Sequence, residues 1–182
     1  MVDLERLKDL GHQLLVALGE DPAREGLQGT PERWARAWAE FIDHEETNAD
    51  TTFVSTSVDQ MVVVTGMRVW SYCEHHLLPF WADVSVGYIP KDRVIGLSKF
   101  ARVAHRQAHK LQLQERLVSE IAAAIRVLSK QEDVAVLASG VHLCMVMRGV
   151  QTPATMTTSV THGLFRSDPR ARAEFLRLVG SA

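Results

Sequence analysis

The sequence is poor in the features that define several protein classes. Its 182 residues include only two cysteines, too few for a disulfide framework, and this favours a reducing compartment. No stretch reaches the roughly 18 consecutive apolar residues that a membrane span needs, and the charged start of the chain lacks an apolar secretory core. The net charge is only −2, which argues against a protein that coats nucleic acid. We therefore expect a cytoplasmic globular protein with no membrane and no nucleic-acid partner.

Hydrophobic periodicity predicts a helical beginning and one domain boundary. Leucines at helical spacing predict a helix over 2–18, and Thr30 is the expected N-cap of a second helix that carries an aromatic stripe. The polar stretch over 44–57 then separates these helices from the rest of the chain. We accordingly predict an N-terminal helical segment over 1–48 and a larger domain over 49–182.

The larger domain alternates between strand and helix patterns. In chain order, the predicted segments are strands over 61–70 and 82–89, helices over 98–110 and 114–130, strands over 134–147 and 155–160, and a helix over 168–179. Ser98 is the expected cap of the first of these helices. The order predicts an α+β fold in which helices pack on one face of an antiparallel sheet.

The sequence CEHH over 73–76 is the densest cluster of titratable side chains in the chain. Such groups are costly to bury without partners, and a core strand would not favour them. The spacing of Cys73 and His76 lets a turn bring a thiolate and an imidazole to one metal ion.

The second cysteine lies in a segment that reads as a strand. Alternation over 141–148 places His142, Cys144 and Arg148 on one face. A cysteine in a strand is commonly just a small buried apolar residue. Two cysteines with a choice among His75, His76 and His142 instead allow a zinc site, and the spacing alone leaves both interpretations open. Four ligands would make it structural, and three with one open position would make it catalytic.

Basic residues accumulate over 91–116, where the local charge surplus is about five, whereas the whole chain is slightly acidic. Lys99 and Arg102 lie one turn apart at the expected beginning of a helix, whose amides also attract anions. The segment is either a solvated helix face or an anion site. No glycine-rich phosphate loop of the two common types is present, so side chains would hold a phosphate. Further basic candidates are Arg33, Arg36 and Arg148.

Taken together, these segments resemble the GTP cyclohydrolase I family. The motifs are TPERWA (30–35), SYCEHHLLPF (71–80), GYIPKDRVIGLSK (87–99), QLQERL (112–117), VHLCMVMRGV (141–150) and GLFRSDPRARAEFL (163–176). The resemblance implies the tunnelling fold: a four-stranded antiparallel sheet with two helices inserted between its strand pairs, N-terminal helices and a short C-terminal helix. It also implies a homodecamer whose active sites are shared between subunits, and the conversion of GTP to 7,8-dihydroneopterin triphosphate and formate at the start of folate and pterin biosynthesis.

The resemblance further implies a role for each matching residue. Cys73, His76 and Cys144 correspond to the ligands of one Zn²⁺ per subunit. His142 resembles the histidine that protonates the purine, and His75 and Ser98 resemble the residues that handle ribose opening and the later rearrangement. The implied substrate contacts are Glu115 as the guanine reader, Gln114 in the same pocket, Lys99, Arg102 and Arg148 on the triphosphate, and Arg33 and Arg36 from a neighbouring subunit. His162 receives no role.

Two other functions compete with this one. The first is a catalytically inactive nucleotide-binding or assembly protein that retains the fold, which degenerate metal ligands would favour. The second is another tunnelling-fold enzyme that acts on a pterin or a deazapurine. The intact CEHH motif and the later H-x-C pair speak against both.

Overall fold

The computed structural model describes residues 2–44, 52–54 and 60–180. The chain divides into two compact units, Met1–Glu46 and Thr47–Ala182. The predicted boundary between 48 and 49 lies outside the described residues and stays a prediction. Within the described ranges, no helix combines the length and the apolar character that a membrane span requires.

The first unit consists of two helices, α1 (Leu4–Ala17) and α2 (Thr30–Ile42). The Asp3 carboxylate caps α1 by accepting a hydrogen bond from the Arg6 N–H at 2.9 Å. The helices approach closely at Gly11, where an added Cβ would lie 3.1 Å from the Trp34 ring. An alanine at this crossing would require its neighbours to shift by a few tenths of an ångström.

The second unit is built on a sheet whose strand order is β5-β2-β3-β6-β7. Its elements are β1 (Thr52–Val54), β2 (Val62–Cys73), β3 (Pro79–Tyr88), β4 (Arg93–Ile95), α3 (Leu97–Ala108), β5 (Leu111–Gln112), α4 (Gln114–Ser129), β6 (Val134–His142), α5 (Leu143–Val146), β7 (Thr155–Thr161), α6 (Leu164–Ser167) and α7 (Pro169–Gly180). Strands β2, β3, β6 and β7 pair antiparallel in that order, and α3 and α4 are inserted between β3 and β6. The α+β prediction, with four antiparallel strands and two inserted helices, is confirmed.

Short elements extend this plan. Strand β5 pairs parallel with the end of β2, and β1 pairs with β4 in a separate two-stranded sheet. Neither was predicted, because two or three residues carry no detectable periodicity.

The prediction that helices cover only one face of the sheet is wrong. On one face, Val84, Val86 and Tyr88 of β3 are buried in the main core with residues of α3 and α4. On the other face, Phe165 of α6 and Phe175 of α7 form a second buried cluster with Ala135. The C-terminal segment supplies this second layer because both its aromatic side chains must leave water.

Two predicted helix caps are also wrong by one or two residues. Gly29, not Thr30, occupies the cap position of α2, and Gly96 occupies that of α3. Ser98 consequently lies inside the first turn of α3 and its side chain is exposed. Residue type alone favoured Thr and Ser, but the extended backbone at Gly96 sets where α3 begins.

Candidate metal centre and substrate cavity

A tight turn between β2 and β3 presents the CEHH segment. The N–H of Cys73 donates to the Leu78 carbonyl at 2.9 Å, and the N–H of Leu77 donates back to the Cys73 carbonyl at 2.9 Å. Leu77 itself adopts a positive φ of 53°, which closes the turn. As a result, Sγ of Cys73 lies 3.9 Å from Nδ1 of His76. The turn achieves the approach that the three-residue spacing predicted.

The strand predicted over 141–148 ends early. Pairing of β6 with β3 stops at Phe80↔His142, next to Pro79, whose ring nitrogen has no hydrogen to donate to a ladder. The chain then turns into the four-residue helix α5, which contains Cys144. The common face predicted for His142, Cys144 and Arg148 is therefore wrong, because no strand partner is available beyond His142.

The geometry of Cys73, His76 and Cys144 fits a metal ion. One ligand atom from each lies within 4.8 Å of the other two. Ideal tetrahedral zinc ligation would separate such atoms by about 3.5–3.8 Å, so small side-chain shifts close the site. Burial, and then the nearby Cys73, raise the pKa of the Cys144 thiol. Cys73, His76 and Cys144 would hold a divalent cation, whose charge would offset both effects, and three protein ligands would leave one position for water or a ligand.

A hydrogen-bond network behind the metal turn was not predicted. The Arg116 guanidinium forms an ion pair with the Glu74 carboxylate and donates to Gln112 Oε1 at 2.7 Å and to the Leu111 carbonyl at 2.9 Å. The Gln112 carbonyl in turn accepts from the Glu74 N–H at 3.2 Å. Residues of β5 and α4 thus hold the turn between the cysteine and the histidine. No sequence pattern could have indicated it, because Glu74 and Arg116 lie 42 positions apart.

His142 is held on two sides. Its ring stacks on Phe80, with centroids 4.5 Å apart and planes 7° apart, and its Nε2 lies 3.0 Å from Gln114 Oε1. Burial lowers the pKa of His142, and the Glu115 charge partly opposes that shift. Burial therefore favours the uncharged form of the ring.

A cavity of about 340 Å³ joins these groups. Its lining includes seven of the thirteen residues predicted for the site: Cys73, His75, His76, Gln114, Glu115, His142 and Cys144. Apolar surface comes from Leu113, Met145 and Met156. Candidate metal ligands, an imidazole and an exposed carboxylate thus line one apolar-walled cavity, an arrangement that is common in binding sites for small molecules.

The other six predicted residues are not in the lining that the described residues form: Ser98, Lys99, Arg102, Arg148, Arg33 and Arg36. Ser98, Lys99 and Arg102 follow one another in the first two turns of α3, and Lys99 is buried. Arg148 is exposed beyond α5. Arg33 and Arg36 belong to the first unit, where Arg36 pairs with Glu32 at 2.8 Å.

The chain is similar in sequence to known proteins of one family. The family model described as GTP cyclohydrolase I matches residues 7–180. A GTP cyclohydrolase 1 of Deinococcus radiodurans is 47% identical over 95% of this chain and 82% of its own length. A second, of Methylococcus capsulatus, is 46% identical over 96% of this chain and 97% of its own.

A solved structure is also similar in part. The apo form of an archaeosine synthase QueF-Like matches 57% of this chain and 95% of its own, with a TM-score of 0.43 and 16% identity. The family match spans nearly the whole chain and includes the candidate metal ligands. The chain therefore belongs to the GTP cyclohydrolase I family.

Proposed function

We propose that this enzyme converts GTP and water to 7,8-dihydroneopterin triphosphate and formate, with one Zn²⁺ per subunit held by Cys73, His76 and Cys144. The observation that carries the proposal is the meeting of these three ligands with His142 and Glu115 around one cavity. We also propose that the product enters folate and pterin biosynthesis. Unpaired thiols as ligands favour a reducing compartment, which supports the cytoplasm.

The bound metal would supply an acidified water and a Lewis acid at neutral pH. We assign the remaining steps to side chains of the protein. The His142 ring stacks on Phe80 and lines the cavity, so it is suited to take up one proton from water and pass it to the purine. His75 lines the same cavity and is assigned, with Ser98, to ribose opening and the rearrangement that follows.

Glu115 is proposed to select the base. Its carboxylate is exposed at the beginning of α4 and lines the cavity, so both oxygen atoms are available to a ligand. A carboxylate can accept from N1–H and from the exocyclic amine of guanine, whereas adenine offers no such pair of donors on that edge. Mismatched polar groups of this kind discriminate by about 10⁴-fold.

The triphosphate is proposed to require more than this cavity. The described lining contains no lysine and no arginine, although the ligand would carry about four negative charges. We assign its contacts to Lys99, Arg102 and Arg148, and further contacts to Arg33 and Arg36 of a neighbouring subunit. The need for such additional basic groups supports the sharing of sites between subunits, and we propose a homodecamer.

The proposal is tested by incubating the purified, zinc-loaded protein with GTP and with ATP. Formate and a neopterin derivative that fluoresces after oxidation are expected from GTP alone. Cys144→Ala is expected to lose both zinc and product, whereas the cavity variant Met145→Leu should keep both. Failure of the fully zinc-loaded protein to form formate would refute the proposed function. Stoichiometric zinc in Cys144→Ala would refute the proposed set of zinc ligands.

A further inference from the structure

The side-chain amide of Gln114 is completely buried and its orientation is determined by its partners. Its Nε2 lies 3.1 Å from the Ala138 carbonyl, 2.9 Å from the Met156 carbonyl and 3.1 Å from Thr158 Oγ1. Backbone carbonyl oxygens only accept hydrogen bonds, so this end of the amide must be the NH₂ group. A flipped amide would place an oxygen against two carbonyl oxygens and leave them repelling one another.

The other end of the amide determines the state of His142. Gln114 Oε1 only accepts, and it lies 3.0 Å from His142 Nε2. The ring nitrogen in this contact must therefore carry the hydrogen. In the neutral imidazole the lone pair then remains on Nδ1, and the stack on Phe80 fixes the plane of the ring.

The surrounding backbone keeps this oxygen in place. An added Cβ at Gly140 would lie only 2.7 Å from Gln114 Oε1, so β6 leaves room for the oxygen only because a glycine is present. The two N–H groups at one end of the amide share three acceptors, and a glycine lies beside the other end, so the amide has a single position. A side chain fixed in this way can orient the neighbouring His142 ring, and it has little freedom to rearrange around a ligand.

We propose that Gln114 is a positioning residue that fixes His142 in the Nε2–H tautomer, so that Nδ1 is the nitrogen that exchanges the proton with the substrate. This differs from the role as a guanine-pocket residue that the family resemblance implied. The inference rests on the proposed function for the identity of the substrate. The tautomer itself follows from the hydrogen bonds alone.

The test uses Gln114→Met, which keeps the side-chain length but removes the acceptor, and Thr158→Val as matched control, which removes one of the three anchors. Ring carbon and nitrogen shifts of histidine-labelled, zinc-loaded protein report the tautomer without GTP at about pH 8.5, well above the ordinary imidazole pKa of about 6.5. His142→Gln assigns the signal. We expect one Nε2–H tautomer in the parent and in Thr158→Val, and a mixture in Gln114→Met.

Kinetics separate positioning from base recognition. In Gln114→Met, kcat for formate release is expected to fall by at least about tenfold, while KM for GTP and zinc content stay within about twofold. A raised KM with unchanged kcat would mean that Gln114 contacts the base, and would overturn the proposal. An Nδ1–H tautomer in the parent would also overturn the proposal. This measurement uses the parent protein alone and does not depend on the folding of any variant. A parent that forms no formate would refute the proposed function but leave the tautomer result standing.

Discussion

Replacing Gly140 by alanine tests how tightly the sheet is packed against the site. The new Cβ would lie 2.5 Å from the Trp81 carbonyl oxygen and 2.7 Å from Gln114 Oε1, whereas ordinary contact begins near 3.4 Å. One neighbour is the backbone of β3 and the other is an anchored amide, so neither can rotate away. The neighbours must retreat by about 0.7–0.9 Å, which costs roughly 1–3 kcal/mol of unfolding free energy.

The same displacement of Gln114 Oε1 would also disturb its hydrogen bond to His142. The bond from His142 Nε2 to Gln114 Oε1 is 3.0 Å long, and a retreat of this size along the bond carries it beyond hydrogen-bond distance. Misplacement by about 1 Å near reacting groups costs up to about 10²-fold in rate, so we expect Gly140→Ala to lower kcat by about ten- to a hundredfold.

Denaturant titration at fixed protein concentration and formate release measure the two effects. Ser139→Ala, which removes a hydroxyl from the adjacent position of β6, is the control and should change stability by less than about 0.5 kcal/mol. Without a clash, replacing glycine by alanine would stabilise the chain by about 0.4–1 kcal/mol. A Gly140→Ala variant as stable as the parent, or more stable, would refute the packing argument.

Three further predictions concern contacts outside the cavity. Arg116→Met removes the ion pair behind the metal turn and should weaken zinc binding by about 10–100-fold in competition with a chromogenic chelator; unchanged affinity would contradict this. Tyr88→Phe leaves the Ile95 N–H without its 2.9 Å acceptor and should cost about 1–3 kcal/mol in denaturant titration, whereas no loss would show that another acceptor replaces it. The two hydrogen bonds from Arg68 lower the pKa of Asp83, so their contribution is complete above the unfolded pKa of about 3.9 and is lost as pH falls through the lower folded pKa. The unfolding temperature of Asp83→Asn, measured in thermal scans, should accordingly fall less steeply with pH below about pH 4 than that of the parent. Equal slopes of unfolding temperature against pH in the two proteins would contradict the assignment.

The long elements of the fold could be predicted because each carries its own periodic pattern. Helix α4 shows Leu117, Ile121 and Ile125 on one stripe, and all three are fully buried. The short elements could not, because pairing or packing with distant segments determines them. Strand β5 has two residues and forms only because it pairs with Tyr72 and Cys73 of β2. The aromatic pair Phe165 and Phe175 gave no periodic sign of the face that it covers.

The candidate site divides in the same way. Cys73 and His76 are close in sequence, so their approach followed from spacing alone. Cys144 reaches them through a helix that strand alternation did not predict, because β6 loses its pairing partner where β3 begins, at Pro79. The Arg116–Glu74 pair joins residues 42 positions apart, a separation at which no local pattern operates.

The most direct test of the central claim follows one carbon atom. Zinc-loaded protein is incubated with GTP labelled with ¹³C at C8, and the products are followed by NMR. If the chain opens the guanine ring as proposed, the label leaves as formate in equal amount to dihydroneopterin triphosphate, and a chelator that removes the metal stops both. Label that stays on the purine in fully loaded protein, or formate that carries none of it, would contradict the account.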